Sequence, residues 1–133
     1  MTEFSAILVG NESLLRHAAE SLMSRGHHVV AIVTRNADLR DWARGAGLRA
    51  EDQDAPLAAD APVADWLFSV ANLSILSPAM LKRGRLGAIN FHDGPLPRMA
   101  GINAPLWAIM QGATDHAVTW HLIEGGIDEG DIL

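Results

Sequence analysis

The sequence predicts an α/β fold built on a predominantly parallel sheet with helices on both faces. Short apolar runs such as VVAIVT, residues 29–34, have the β-branched composition of strands that are buried on both sides. Segments with apolar residues at helical spacing lie between these runs. Strands that alternate with helices along a chain are typical of parallel sheets with helical crossovers, and this alternation carries the prediction.

The first half of the chain starts with a strand and a helix. The strand is the apolar run SAILVG, residues 5–10, and Gly26 is a stop signal for the helix that follows. The apolar residues at helical spacing within that helix are Leu14, Leu15, Ala18 and Leu22. The second strand, residues 29–34, leads into a second helix with Asn36 as candidate N-cap. LRAED, residues 48–52, is compatible with a third strand, and the stretch rich in acids, alanine and proline after it predicts a loop or an irregular helical segment.

The second half continues the alternation. Residues 65–76 (DWLFSVANLSIL) carry a strand, Ser77 and Pro78 open a brief helix, and residues 86–92 (LGAINFH) form the next strand. A loop follows, and we expect the rest of the chain to add one helix and one strand.

A candidate N-cap predicts the helix, and alternating side chains predict the strand. Residues 103–113 (NAPLWAIMQGA) predict a helix with Asn103 as candidate N-cap. Residues 116–123 (HAVTWHLI) alternate like a strand, with Thr119 and His121 on one side. The residues expected on its other side are Val118, Trp120 and Leu122.

Composition predicts one globular domain over residues 1–133, because 49% of the residues are hydrophobic and 20% are charged. A formal net charge of −6 disfavours a nucleic-acid partner. There is no cysteine, so disulfides, thiolate nucleophiles and cysteine zinc sites are excluded. No histidine pair has metal-ligand spacing, and we predict no metal. The chain shows no signal-peptide pattern and no apolar run of membrane-spanning length, so we expect a soluble, cytoplasmic protein.

The turn after the first strand is a weak candidate for binding anionic groups. A dinucleotide fingerprint needs three glycines, and this turn supplies Gly10 alone. A plain strand-to-helix turn, capped by Asn11 or Ser13, is the favoured interpretation.

The stretch INFHDGPLPRMAG, residues 89–101, concentrates polar and stiff residues. Side chains alternate along a strand, so Asn90 and His92 project to one face at the end of that strand, where ligands bind in open α/β sheets. The following loop holds two prolines and two glycines, which predicts a shaped and restrained segment. A lone Asn or His near a strand end is often only a capping or surface residue, and the pair on one face makes a functional site an equal alternative.

Asp128 is the third candidate, in the segment EGGIDEGDIL. Taken alone, an aspartate flanked by glycines is a turn residue. A carboxylate beside an imidazole, however, can fix its orientation and favour its protonated form, which is how an acid–base site is tuned.

Residues 75–133 resemble the catalytic core of the folate-dependent formyltransferases. That family combines an N-x-H at a strand end, a loop of the S-L-L-P type with a following glycine, and a distant aspartate in a G-x-D-x-G segment. The matching features here are Asn90, His92, the loop through Leu96 and Pro97 to Gly101, and Asp128. The resemblance implies a Rossmann-like fold, with the family's C-terminal elements lacking, and transfer of a formyl group from 10-formyltetrahydrofolate to an acceptor amine.

The resemblance also implies roles for individual residues. Asn90 and His92 would donate hydrogen bonds to the developing oxyanion, and His92 with Asp128 would move the proton of the attacking amine. The residues expected to bind the pterin of the folate are Ile75, Leu76, Gly126, Ile127 and Asp128. His121 shares its strand face with Thr119 and is given an accessory role.

Departures from the family pattern bear on the acceptor. This chain reads HDGPLP where many members read H-x-S-L-L-P, so Gly94 and Pro95 change the loop. The forms FHDGPLP, TWH and GIDEGDIL most resemble formyltransferase domains at the start of nonribosomal peptide synthetases and related adenylating proteins. We therefore expect a truncated domain or the head of a longer polypeptide. It would formylate an aminoacyl or amino-sugar-like group, with adenylation or carrier domains as partners. A methionyl-tRNA acceptor, hydrolysis of formyl-folate, and a folate-binding or docking module without turnover remain alternatives.

Overall fold

The structure is a computed structural model that describes residues 2–133. The described elements, in chain order, are β1 (Ser5–Val9), α1 (Ser13–Ser24), β2 (His28–Val33), α2 (Ala37–Gly45), β3 (Arg49–Glu51), β4 (Ala64–Ser69), α3 (Pro78–Leu81), β5 (Gly84–His92), α4 (Ala104–Met110) and β6 (Thr119–Leu122). The chain divides into two compact units, the first ending at Ala88 and the second comprising Ile89–Leu133. No helix within residues 2–133 has the length and apolar character needed to cross a membrane.

The first unit is built around β1, whose residues Ala6 to Val9 are fully buried. β1 pairs in parallel with β2 on one side and with β4 on the other, and β2 pairs in parallel with β3. Each parallel pair needs a crossover, which is why apolar strand runs and amphipathic helices alternate in this half of the sequence. The predicted parallel arrangement is confirmed.

The second unit contains the end of β5, which pairs antiparallel with β6. The strand order of the whole sheet is β3-β2-β1-β4-β5-β6. The chain therefore forms a six-stranded, mostly parallel sheet with helices, and the predicted fold class is confirmed.

Capping predictions for the helices have mixed outcomes. The side-chain oxygen of Asn36 accepts hydrogen bonds from the amides of Asp38 (3.0 Å) and Leu39 (3.4 Å), as predicted for an N-cap. Ser77 caps the short helix α3. Asn103 occupies the N-cap position of α4 but makes no side-chain capping bond.

The predicted cap of α1 is wrong. Glu12 occupies its N-cap position, without a side-chain hydrogen bond, and neither Asn11 nor Ser13 caps the helix. Asn11 instead serves the neighbouring turn, where its Oδ1 accepts from the Arg35 amide (2.7 Å) and from the Thr34 hydroxyl (3.2 Å). The Asn11 side chain therefore bonds to residues distant in sequence instead of capping α1, and no local pattern reveals such partners.

An ion pair organises the segment between β3 and β4, which is a loop without helix. The guanidinium of Arg83 donates to both carboxylate oxygens of Glu51, at 2.9 and 2.8 Å, and to the carbonyl of Pro62 at 3.0 Å. The Arg83 side chain is 3% exposed and that of Glu51 is 15% exposed. Because both charged groups are largely shielded from water, each is stabilised mainly by its partner, and removing one would leave the other buried and unpaired.

Candidate active site

The candidate site lies in the second unit and is built on the antiparallel pair of β5 and β6. The strand register sets Asn90 opposite His121 and His92 opposite Thr119. Residues that stand opposite each other in an antiparallel pair project to the same face, so these four side chains share one face. His92, Thr119 and His121 are buried. The predicted grouping of Asn90 with His92, and of Thr119 with His121, is what the register produces.

Asp128 comes to this face from the turn after β6. Its carboxylate lies 3.5 Å from Nδ1 of His92 and 3.5 Å from Nε2 of His121, through different oxygens. The carboxylate also accepts a 2.8 Å hydrogen bond from the Gly101 amide. We call His92, Asp128 and His121 the His–Asp–His cluster. All three side chains are less than a tenth exposed, so their electrostatic interactions are screened less than those at the surface.

The backbone of Asp128 has a positive φ of 57°. Positive φ is uncommon outside glycine, although Asp adopts it more readily than most residues. The contacts of the carboxylate with His92, His121 and Gly101 hold this conformation. The turn that looked like a simple glycine-flanked bend therefore delivers a carboxylate into the site.

In each imidazole of the cluster, one nitrogen faces away from Asp128 and contacts a main-chain carbonyl; we call it the outer nitrogen. Nε2 of His92 contacts the carbonyl of Met99, and Nδ1 of His121 lies 2.8 Å from the carbonyl of Leu122. A carbonyl oxygen only accepts, so both outer nitrogens carry hydrogens. In the neutral rings, the nitrogens that face Asp128 therefore carry no hydrogen, and that of His121 accepts from the Asn90 amide.

Asn90 retains free hydrogen-bonding capacity. One of its amide hydrogens points to Nε2 of His121 at 3.2 Å. Its second N–H and its carbonyl oxygen make no hydrogen bond within residues 2–133. Asn90 is also only half-buried, so this amide is available to a ligand.

The loop between β5 and α4 is fastened at both ends by residues of the site. The Thr119 hydroxyl donates to the Gly94 carbonyl (2.8 Å) and accepts from the Leu96 amide (3.1 Å). At the other end, Gly101 has a φ of 92° and donates its amide to Asp128. The expectation of a shaped, restrained loop agrees with these contacts.

Two residues of this arrangement were not predicted as part of it. Thr119 was placed on the correct strand face, but no function was predicted for it. Its position opposite His92 could have been inferred only from the pairing register of β5 and β6. Met99 contributes a main-chain carbonyl, which no side-chain pattern can reveal. Within residues 2–133, no group of three or more His, Cys, Asp or Glu side chains is arranged to hold a metal ion.

The residues predicted to bind a pterin differ in whether their main-chain groups are already hydrogen-bonded. In the first unit, the peptide groups of Ile75 and Leu76 make no hydrogen bond within residues 2–133, and Ile75 is 85% exposed. In the second unit the same holds for the peptide groups of Ile127 and Asp128. The Gly126 amide is already bonded to the Glu129 carboxylate at 3.0 Å. Four of the five residues thus keep a free main-chain donor and acceptor, and Gly126 keeps its carbonyl.

Solved structures share the fold of the chain. Glycinamide ribonucleotide transformylase 1 from Symbiobacterium toebii aligns with a TM-score of 0.78 and 22% identity, covering 100% of this chain and 71% of that protein. A formyltetrahydrofolate deformylase from Pseudomonas syringae pv. tomato aligns with a TM-score of 0.81 and 19% identity, covering 98% of this chain and 49% of that protein. At these identities the likeness establishes the fold. The class that the fold defines is a Rossmann-like α/β domain.

Sequence comparison gives the family. Residues 43–133, more than half of the chain, match the family model described as Formyl transferase. The methionyl-tRNA formyltransferase of Anaeromyxobacter dehalogenans (strain 2CP-C) is 31% identical over 143 residues, covering 94% of this chain and 46% of the relative. That of Synechococcus sp. (strain JA-3-3Ab) is 40% identical over 82 residues, covering 62% of this chain and 26% of the relative. The chain belongs to the formyl transferase family, as predicted, and spans about half or less of the length of these curated relatives.

Proposed function

We propose that residues 1–133 act as a catalytic domain that transfers a formyl group from 10-formyltetrahydrofolate to a primary amine of an acceptor. The observation that carries the proposal is the convergence of Asn90, His92 and Asp128 on one buried face, with main-chain and side-chain contacts that orient each group. Family membership supports the same reaction class.

Asn90 is suited to stabilise the charge that develops during the reaction. When an amine attacks a formyl carbon, negative charge accumulates on the carbonyl oxygen, and preorganised donors aimed at that oxygen are usually the largest catalytic contribution. The free N–H of Asn90 is such a donor, and the bond from its other N–H to His121 holds the amide plane in place. His121 thereby has a positioning role, which is the accessory role expected for it.

The His–Asp–His cluster is suited to receive the proton of the attacking amine. A proton taken up at Nδ1 of His92 would be held against the carboxylate of Asp128, 3.5 Å away. The Nε2 hydrogen of His92 is directed at the Met99 carbonyl. For His92 to donate this hydrogen to the reacting formyl oxygen, its hydrogen bond to the Met99 carbonyl has to break and that carbonyl has to move away.

The folate co-substrate supplies the formyl group to be transferred. We propose that the peptide groups of Ile75, Leu76, Ile127 and Asp128 hold its pterin ring, since their main-chain hydrogen-bonding groups are free within residues 2–133. Gly126 would contribute its carbonyl. Main-chain groups suit this task because they present donors and acceptors at fixed positions.

For the acceptor we propose an aminoacyl or amino-sugar-like group, presented by a carrier or as a small molecule. Carrier or adenylation domains of the same polypeptide are the proposed partners. The second candidate acceptor is methionyl-tRNA, which is favoured by the names of relatives that are up to 40% identical. The formal charge of −6 opposes a polyanionic acceptor and places this candidate second.

The test is a single-turnover measurement of formyl transfer with 10-formyltetrahydrofolate and an amine. We expect Asn90→Ala and His92→Ala each to lower the rate by roughly 100-fold, because they remove an oxyanion donor and an acid–base group. His17→Ala is the matched control, since the His17 side chain is 72% exposed on α1. Equal rates for wild type and both site variants would refute the catalytic assignment.

A further inference from the structure

Arg98 is the single basic residue in the sequence of the second unit. Residues 89–133 contain one Arg, no Lys and six acidic residues: Asp93, Asp115, Glu124, Asp128, Glu129 and Asp131. One positive against six negative charges leaves this unit with a formal charge of −5. Because the acidic side chains repel anions, the guanidinium of Arg98 is the natural place in this unit to hold a negatively charged group.

The Arg98 guanidinium has no protein partner. Its side chain is exposed and makes no hydrogen bond or ion pair within residues 2–133. Most of the other arginines are paired with a carboxylate: Arg16, Arg35, Arg40, Arg44, Arg49, Arg83 and Arg85. A cation in an acidic unit that pairs with none of the carboxylates is available to a ligand.

Arg98 lines a cleft of about 250 Å³ in the second unit. The Gln111 amide adds a second polar group, and the apolar wall includes Met99, Ile102 and Trp107. Ile102 is 69% exposed and Trp107 is 53% exposed, so the wall is open to an incoming molecule. The cleft thus combines polar groups with apolar side chains, and small-molecule sites use such polar groups to fix the orientation of a ligand.

The cleft shares a wall with the catalytic histidine. Met99 lines the cleft, and its carbonyl accepts the Nε2 hydrogen of His92. Gly94 is packed at the same point, because a Cβ added there would lie 3.2 Å from Nε2 of His92 and 3.2 Å from Cβ of Met99. A molecule in the cleft therefore contacts the residue that covers His92.

We propose that this cleft binds the amine acceptor, with Arg98 pairing with an oxyanion of the acceptor and Trp107 and Ile102 packing against its apolar part. The inference rests on the proposed formyl transfer and adds the class of acceptor, an amine that carries a phosphate or carboxylate. Arg98 is then a specificity residue, because it recognises a group that takes no part in the reaction.

Binding is tested without catalysis by titrating the protein with O-phosphoethanolamine and following the Trp107 indole N–H signal by NMR, assigned with Trp107→Phe. We expect Arg98→Gln to raise the dissociation constant about tenfold, the factor that corresponds to about 1.4 kcal/mol. Arg25→Gln is the matched control, because the Arg25 side chain also lacks a partner within residues 2–133 and lies in the first unit. Equal affinity of wild type and Arg98→Gln, or equal binding of ethanolamine, would overturn the inference.

Kinetics distinguish the acceptor from the other ligand with carboxylates, the glutamate tail of the folate. We expect Arg98→Gln to raise the KM for O-phosphoethanolamine about tenfold and to leave the KM for the formyl-folate co-substrate unchanged. A raised KM for the folate alone would assign Arg98 to the folate tail and overturn the inference. Absence of formyl transfer to any amine would instead contradict the proposed function, and the binding titration would still decide the role of Arg98.

Discussion

At the scale of single residues, Asp128 connects the parts of the site. It faces one nitrogen of each imidazole and holds the Gly101 amide at the end of the loop. These contacts join the proposed chemical task to a structural one, since the same carboxylate faces His92 and bonds to the loop. The two tasks can be separated by a change that removes the charge but keeps an acceptor oxygen.

Asp128→Asn is that change. An amide oxygen can still accept from Gly101, so the loop should stay in place, but the neutral amide can no longer stabilise a proton on His92. We expect the single-turnover rate to fall about 100-fold, with the KM for the folate little changed. Asp131→Asn is the control, because its side chain makes no hydrogen bond or ion pair within residues 2–133. Equal losses in the two variants would show that Asp128 has no special chemical task.

Residue-level prediction succeeded where a local rule applied. Alternation along a strand is enough to place Asn90 and His92 on one face. The approach of Asp128 could be inferred only from the family pattern, because a turn with a positive φ aims its side chain in a direction that spacing does not reveal. The contact from Met99 was missed because it comes from a main-chain carbonyl.

At the scale of elements, the loop after β5 is held by β6. Thr119 bonds to Gly94 and Leu96, and its hydroxyl is buried. Position 119 therefore supports the loop that carries Met99 over His92, although it takes part in no chemistry. Its contribution is measurable as stability.

Thr119→Val keeps the shape of the side chain and removes both hydrogen bonds. The Gly94 carbonyl and the Leu96 amide then lose their partner, so we expect the free energy of unfolding to fall by about 1–3 kcal/mol. Urea unfolding measures this change, and hydrogen exchange should show a faster Leu96 amide. Thr114→Val, where the hydroxyl donates only to the exposed Asp115 at 3.4 Å, should change stability little. A matching loss in both variants would contradict the assigned support.

Elements were largely predictable because their signals are local. Apolar runs and the cap at Asn36 identified strands and helices correctly. The antiparallel direction of β6 was not specified beforehand, since strand direction depends on the path of the preceding loop and helix. The cap of α1 failed because Asn11 bonds to residues more than 20 positions away.

At the scale of the whole molecule, charge is distributed unevenly along the sequence. Residues 1–88 carry nine basic and ten acidic residues, whereas residues 89–133 carry one and six, so the formal charges are −1 and −5. The candidate catalytic residues therefore belong to the strongly acidic part of the chain. Its single arginine is placed where the proposed acceptor would need it.

The pH dependence of folding is predicted at Asp65. The Ser5 amide, then the Arg85 guanidinium and the Ser5 hydroxyl, lower the pKa of the Asp65 carboxyl from its ordinary value of 3.8. A lowered folded pKa contributes stability above the unfolded value, and that contribution is lost as the pH falls through the folded value. Asp65→Asn should thus be destabilised most near pH 7, and its difference from wild type should shrink as the pH falls below the ordinary value of 3.8.

Urea unfolding of wild type and Asp65→Asn between pH 7 and pH about 2.5 measures this difference. Ser5→Ala removes the hydroxyl that donates to the Asp65 carboxylate and accepts from the Asp65 amide. It keeps the Ser5 main-chain amide, the largest cause of the lowered pKa, so its pH-dependent loss should be smaller. A difference between wild type and Asp65→Asn that stays constant with pH would contradict the assigned role of Asp65.

Formyl transfer itself is tested most directly by following the formyl group. Wild-type protein is mixed with 10-formyltetrahydrofolate labelled with ¹³C in the formyl carbon, with and without O-phosphoethanolamine, and the products are identified by mass spectrometry. We expect the label on the amine nitrogen, and a transfer rate roughly 100-fold lower with His92→Ala. Release of the label as formate in both mixtures would show hydrolysis, and label that remains on a bound folate would show a binding module; either result would contradict transfer to an amine.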